Sequence, residues 1–279
     1  TFPGVRVLPV EGEGFNDEPS MAQASDGSIY VAWVSFRDGA DSLQIARYQT
    51  EGDWFRRLGS WRIAGGRGTY VLGPKVVAAG DRVYVLYAAE HKRNWDIYAV
   101  ECSARGPGKA VAVTTDPAVD VDPAGAWRDG TLWVAWESNR DNARRILLAT
   151  FRDGKPSPAE VVSEDGLSNY DPSVAVDAGG ALSVAWHRFA DDNYDIYLRR
   201  RLPAGVWESE RRLTKAPSID RHAFLFTRGE ELWLTYENAQ TERYFTGRTN
   251  RRRVIVARVG PRGLETFAGY RNNPQLWER

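Results

Sequence analysis

With 279 residues, 42% of them hydrophobic, the chain is long enough for one large β domain or two ordinary ones. Its 37 Lys plus Arg balance 37 Asp plus Glu, so no net field draws it to nucleic acid or to an anionic membrane, and neither is an expected partner. The single Cys102 excludes an internal disulfide, and apolar runs such as "IYVAW" fall far short of a membrane span.

The amino terminus, "VRVLPVEGEGFNDEPS", reads as the end of one repeat followed by the entry to the next. From there a short apolar run closed by an aromatic residue recurs five times: "IYVAW" to Trp33, "VYVLY" to Tyr87, "LWVAW" to Trp136, "LSVAW" to Trp186 and "LWLTY" to Tyr236. A turn precedes each run ("SDGS", "AGDR", "RDGT", "AGGA", "RGEE"), and before it comes an entry such as "NDEPSMAQ" or "YDPSVAV". A polar loop follows, then a third run ("LQIARY", "WDIYAV", "RILLAT", "YDIYLR", "RVIVAR") and a fourth ("WRIAG", "AVAVT", "AEVVS", "RRLT", "LETFAG"). Units of about fifty residues, rich in Val, Ile, Tyr and Trp and punctuated by Gly, Asp and Pro, specify four-stranded antiparallel sheets. Their second strands are apolar on both faces, as expected when each sheet is sandwiched between neighbours.

The fold class is therefore all-β: a single β-propeller domain over 1–279, with blades at about 17–65, 70–115, 120–164, 169–215 and 220–268. Five blades close if strand 5–10 completes the last one, which leaves no free edge there. The carboxyl-terminal "LETFAGYRNNPQLWER" also reads as the fourth strand of blade five followed by the start of a sixth, in which case a further domain lies beyond Arg279.

The stretch "YDPSVAVDAGGALSVAWHRFADDNYDIYLRR…RRLT" resembles the repeat of bacterial TolB-type and sialidase-like (BNR-type) propellers, over residues 5 to about 260. The resemblance implies a periplasmic or secreted protein of a group whose members serve as recognition platforms or degrade glycans. The Ser-Asp-Gly turn of "SDGSIYVAW" lies between strands one and two. The sialidase Asp-box turn lies between strands three and four, so no sialidase site is carried over.

In a propeller, the loops leaving strand two and entering strand one share one face, where ligand sites are expected. All three histidines of the chain fall there. Glu137, His187 and Glu237 each directly follow the strand-two aromatic residue, and His222 lies in an entry loop, so these four are the candidate catalytic groups, an acid/base set tuned by proximity. Candidate ligand-binding residues on the same face are Arg37, His91, Arg93, Arg140, Arg188, Arg243, Tyr244 and Arg248, the last three in a long loop from Asn238 to Asn250. No cofactor is predicted. A divalent metal on the same N and O ligands is the alternative, without support from an HExxH or Cys-based spacing. Trp95 and Tyr194, at equivalent repeat positions, read as blade-holding residues, Asp96 and Asp195 as bonded to backbone of the preceding loop, and Arg199–Arg201 as a solvated outer edge.

Three functions fit this pattern. The preferred expectation is a non-catalytic recognition propeller for a glycan or a protein partner. The alternatives are a glycan-active enzyme, either a glycoside hydrolase with Glu137 and Glu237 as its carboxylate pair or a polysaccharide lyase with His187 or Tyr194 as base, and a structural module of a larger hydrolase.

Overall fold

A computed structural model describes residues 15–52, 54–140, 142–164, 168–241 and 249–266. Among these residues the regular structure is all strand, arranged as five antiparallel sheets. The chain divides into two compact units, Thr1–Val161 with blades one to three and Val162–Arg279 with blades four and five.

Each blade is a meander in sequence order. Blade one runs Phe15–Gln23, Ile29–Arg37, Ala40–Glu51 and Trp54–Gly65. The first three strands of blades two, three and four start at Val71, Asp120 and Ser168 and end at Ser103, Arg152 and Arg201. Blade five comprises Ile219–Arg228, Glu231–Thr241, Thr249–Gly260 and Gly263–Thr266. The proposed closing strand 5–10 lies outside the described residues. The second strands of blades one to four are buried over most of their length, with Trp136 and Trp186 fully enclosed, whereas that of blade five is mostly half-buried. Burial of such side chains stabilises the blades by at least about 2 kcal/mol each.

One device recurs in every first strand. At Glu18–Pro19, Gly73–Pro74, Asp122–Pro123, Asp171–Pro172 and His222–Ala223 the register with strand two slips, so that two residues face one. The residue opposite is the strand-two aromatic of each repeat, Trp33, Tyr87, Trp136, Trp186 or Tyr236. These are β-bulges. Proline suits the second position because a bulge leaves a backbone donor without a ladder partner. The first bulge residue has positive φ, between 50° and 60°, in all five blades.

The fourth strands differ from the expected pattern. Blade one has a continuous twelve-residue strand, Trp54–Gly65. Blades two and three instead pair two-residue pieces, Gly106–Pro107 with Val111–Ala112 and Lys155–Pro156 with Glu160–Val161, onto the third strand. Blade four keeps a bridge at Trp207 and the pair Arg211–Arg212. Pro107, Pro156 and Pro203 interrupt these segments, since proline cannot donate to a ladder, whereas 54–65 contains none. The loop expected from Asn238 to Asn250 is also shorter, because strands reach Thr241 and resume at Thr249.

The repeated "DIY" motif and the threonine of the outer segment, in "VT" of blade two and "LT" of blade four, are halves of one contact. The Thr114 hydroxyl donates to Asp96 Oδ1 at 3.2 Å and accepts the Ile97 amide at 2.9 Å. In blade four Thr214 bonds Asp195 Oδ1 at 3.1 Å and the Ile196 amide at 2.9 Å. Asp96 and Asp195 thus bind the outer segment of their own blade and not the backbone of the preceding loop. Nor is Arg199–Arg201 a solvated edge: Arg199 donates to the carbonyls of Val162 and Glu208, and Arg200 pairs with Asp177 at 2.6 Å. Neighbouring blades within a unit are tied by a serine after the bulge, Ser20 accepting the Val76 amide and Ser173 the Leu225 amide, each at 2.9 Å.

Candidate functional site

The densest set of functional side chains lies in the second unit, where the bulges of blades four and five meet. Each bulge turns its first residue out of the strand alternation, which brings Asp171 and His222 together: His222 Nδ1 is 3.0 Å from Asp171 Oδ2. His187, in the second strand of blade four, packs its ring against Tyr170, Tyr194 and His222 at centroid distances of 5.5, 5.6 and 5.6 Å. Arg221 holds its guanidinium 5.3 Å from the Tyr194 ring centroid. Glu237 is the strand partner of Arg221 and has Arg252 Nε 3.7 Å from its Oε1.

The two histidines differ in charge. Burial pushes His187 down to about 4, against the pull of Asp171 and with help from His222 and Arg221, so it is neutral at ordinary pH. His222 is raised, first by its hydrogen bond to Asp171, with burial opposing. Three polar atoms of the cluster are buried without a hydrogen-bond partner among the described residues: His187 Nδ1, Arg221 Nε and Glu237 Oε1. Such atoms are costly unless a ligand or water completes them. Among the described residues no group of three His, Cys, Asp or Glu side chains is placed to hold a metal ion.

Of the four candidate catalytic residues, the structure brings together His187, His222 and Glu237. Glu137 belongs to the first unit, where it is 3% exposed and bound by Arg144. Asp171 was missed as a catalytic candidate. Its "YDPS" reads as a strand entry, and only the pairing register shows that the bulge presents the carboxylate to His222.

The candidate ligand-binding residues are dispersed. Arg188 is 3% exposed: its Nη1 pairs with Glu210 at 2.6 Å, its Nε donates to Asn169 at 2.7 Å, and it lies 4.0 Å from the Tyr197 ring centroid. It braces its blade, because adjacent strand residues face opposite ways and His187 takes the other face. Arg140 is held by Asp116, Asp120 and Ser138. Arg37 and His91 end second strands and are exposed. Arg93 and Lys92 both have positive φ, as the centre of a tight hairpin turn requires. Arg243, Tyr244 and Arg248 lie outside the described residues. Tyr194 contacts both His187 and Arg221, so it belongs to the candidate site as well as to its blade.

No protein-family model and no curated protein sequence matches the chain. Solved structures do. An α-L-arabinofuranosidase from Lactobacillus brevis shares 15% identity with a TM-score of 0.58, covering 90% of this chain and 93% of its own. An α-L-arabinanase from Penicillium chrysogenum, solved with arabinobiose, shares 12% with a TM-score of 0.56, covering 84% and 80%. A Dyadobacter fermentans protein of unknown function shares 12% with a TM-score of 0.59, covering 92% and 83%. At these identities the likeness shows the fold, a five-bladed β-propeller. It also overturns the preferred expectation of a non-catalytic recognition propeller, since the α-L-arabinofuranosidase and the α-L-arabinanase that share the fold are enzymes acting on glycans.

Proposed function

We propose that the protein is a glycoside hydrolase whose chemistry is carried by Asp171 and Glu237, with His222 and His187 as their supports. The observation that carries this reading is the convergence of two carboxylates and two unlike histidines around three buried polar atoms without partners. The likeness of the fold to glycoside hydrolases supports it.

Glycoside hydrolysis needs one carboxyl group to protonate the leaving oxygen and one carboxylate to act as base or nucleophile. Asp171, in hydrogen-bond contact with His222 Nδ1, is the carboxylate that takes the second role. Glu237, whose Oε1 has no hydrogen-bond partner among the described residues, is the remaining carboxyl group and takes the first role. Neutral His187 offers Nδ1 to a sugar hydroxyl, and Tyr194 forms an aromatic wall beside it. A glycan is thus the partner proposed. The "DIY" and "LT" repeat chemistry supports a placement among TolB-type and BNR-type propellers, and with it an exported location.

The test is release of new reducing ends from a panel of neutral and acidic polysaccharides by the purified chain and by Asp171→Asn and Glu237→Gln. Activity reduced about 100-fold or more in both variants is expected for groups of these roles. Activity unchanged in both places the chemistry elsewhere, and its absence on every glycan ends the hydrolase reading.

A further inference from the structure

Arg221 lacks the partner its position offers. Its direct neighbour across the hairpin is Glu237, and opposite charges so placed ordinarily pair. The Glu237 carboxylate instead approaches Arg252, and the Arg221 guanidinium lies over Tyr194 on the adjoining blade, beside His187. Among the described residues no carboxylate stands within ion-pair distance of Arg221, and its buried Nε donates to nothing. Other arginines of the same unit behave differently: Arg188, Arg199, Arg200 and Arg212 pair with Glu210, Glu164, Asp177 and Asp195.

A guanidinium set over an aromatic ring, with no ion-paired carboxylate among the described residues, is a prepared seat for an anion. Its forked donors match a carboxylate in a bidentate arrangement. We infer that the site takes an acidic glycan, with the carboxylate of a uronate residue seated on Arg221. This inference rests on the hydrolase reading and narrows it from glycans at large to uronate-bearing ones. A neutral sugar would leave the guanidinium in a partly buried site with no anion to meet, the arrangement that disfavours binding of the wrong substrate.

The experiment compares oligomers of galacturonate, glucuronate and mannuronate with their methyl esters, by titration calorimetry for binding and by new reducing ends for cleavage. It uses the purified chain, Arg221→Gln and Arg221→Lys, with circular dichroism to check that each variant folds. For at least one uronate the free acid is expected to bind about tenfold or more tightly than its ester, the discrimination of one charge-assisted contact. Arg221→Gln should abolish that preference and Arg221→Lys retain part of it. Equal affinity for acid and ester, a preference that survives in Arg221→Gln, or no binding of any uronate overturns the inference. Cleavage of a neutral glycan that depends on Asp171, with no preference for acids, removes the substrate class and leaves the hydrolase standing. Arg221-dependent binding of a uronate without cleavage of any glycan removes the hydrolase and leaves the anion seat.

Discussion

His222 Nδ1 lies 3.0 Å from Asp171 Oδ2, joining the first-strand bulges of two adjacent blades through their side chains. This bond is the leading cause of the raised His222 pKa. Asp171→Asn should therefore lower the pH at which the His222 ring proton titrates, followed by NMR. Because the folded value lies above the unfolded one, the pair's stabilisation is complete below the unfolded value and is lost as pH rises through the folded value. Both side chains are well exposed, at 58% and 33%, so the contribution stays below about 1 kcal/mol. An unmoved titration in the variant refutes the coupling.

His187 has the opposite sign. Its folded pKa is depressed to about 4 by burial, so the unfolded chain binds the extra proton first as pH falls below about 6.5. The neutral ring's contribution is fully present above that pH and is lost toward pH 4, on the order of 3 kcal/mol. Urea midpoints from pH 7 to 4 should fall in the native chain and fall less in His187→Gln. Parallel curves would show that His187 does not set the acid limit.

Arg188 and Glu210 form a pair in which both side chains are nearly enclosed, at 4% and 9% exposure. Arg188→Ala leaves a buried carboxylate uncompensated and should cost about 3–5 kcal/mol. Chemical denaturation followed by tryptophan fluorescence measures it. A loss within about 0.5 kcal/mol would show the pair to be ornamental.

Thr214 serves two buried groups at once, the Asp195 carboxylate and the Ile196 amide. Thr214→Val keeps its volume and removes both bonds, for an expected loss of about 1–3 kcal/mol. Thr114→Val in blade two breaks the same pair of bonds, so comparable unfolding shifts in the two variants would show that the repeat position carries a shared structural role.

The five blades were legible because a backbone rule and a packing rule coincide: an aromatic residue every fifty positions both ends an apolar run and sits opposite a bulge. His187, His222 and Glu237 were legible as neighbours for the same reason. Asp171 was legible on the same face but not as a catalytic group, because Asp-Pro marks the bulge in two blades whatever its chemistry. Arg188 was misplaced on the ligand face because a shift of one residue along a strand reverses the face. Its partner Glu210 lies twenty-two residues on, in an outer segment with no pattern to announce it.

The first bulge position holds Glu18, Gly73, Asp122, Asp171 and His222 in the same left-handed conformation. The geometry belongs to the blade and not to its occupant, so the slot works as an interchangeable socket: a single codon changes the group presented without rebuilding the sheet. Only glycine adopts that conformation freely, and a side chain such as His222 is held there at a strain of roughly 1–2 kcal/mol. A scaffold that tolerates this strain at repeated addresses can acquire new chemistry one blade at a time.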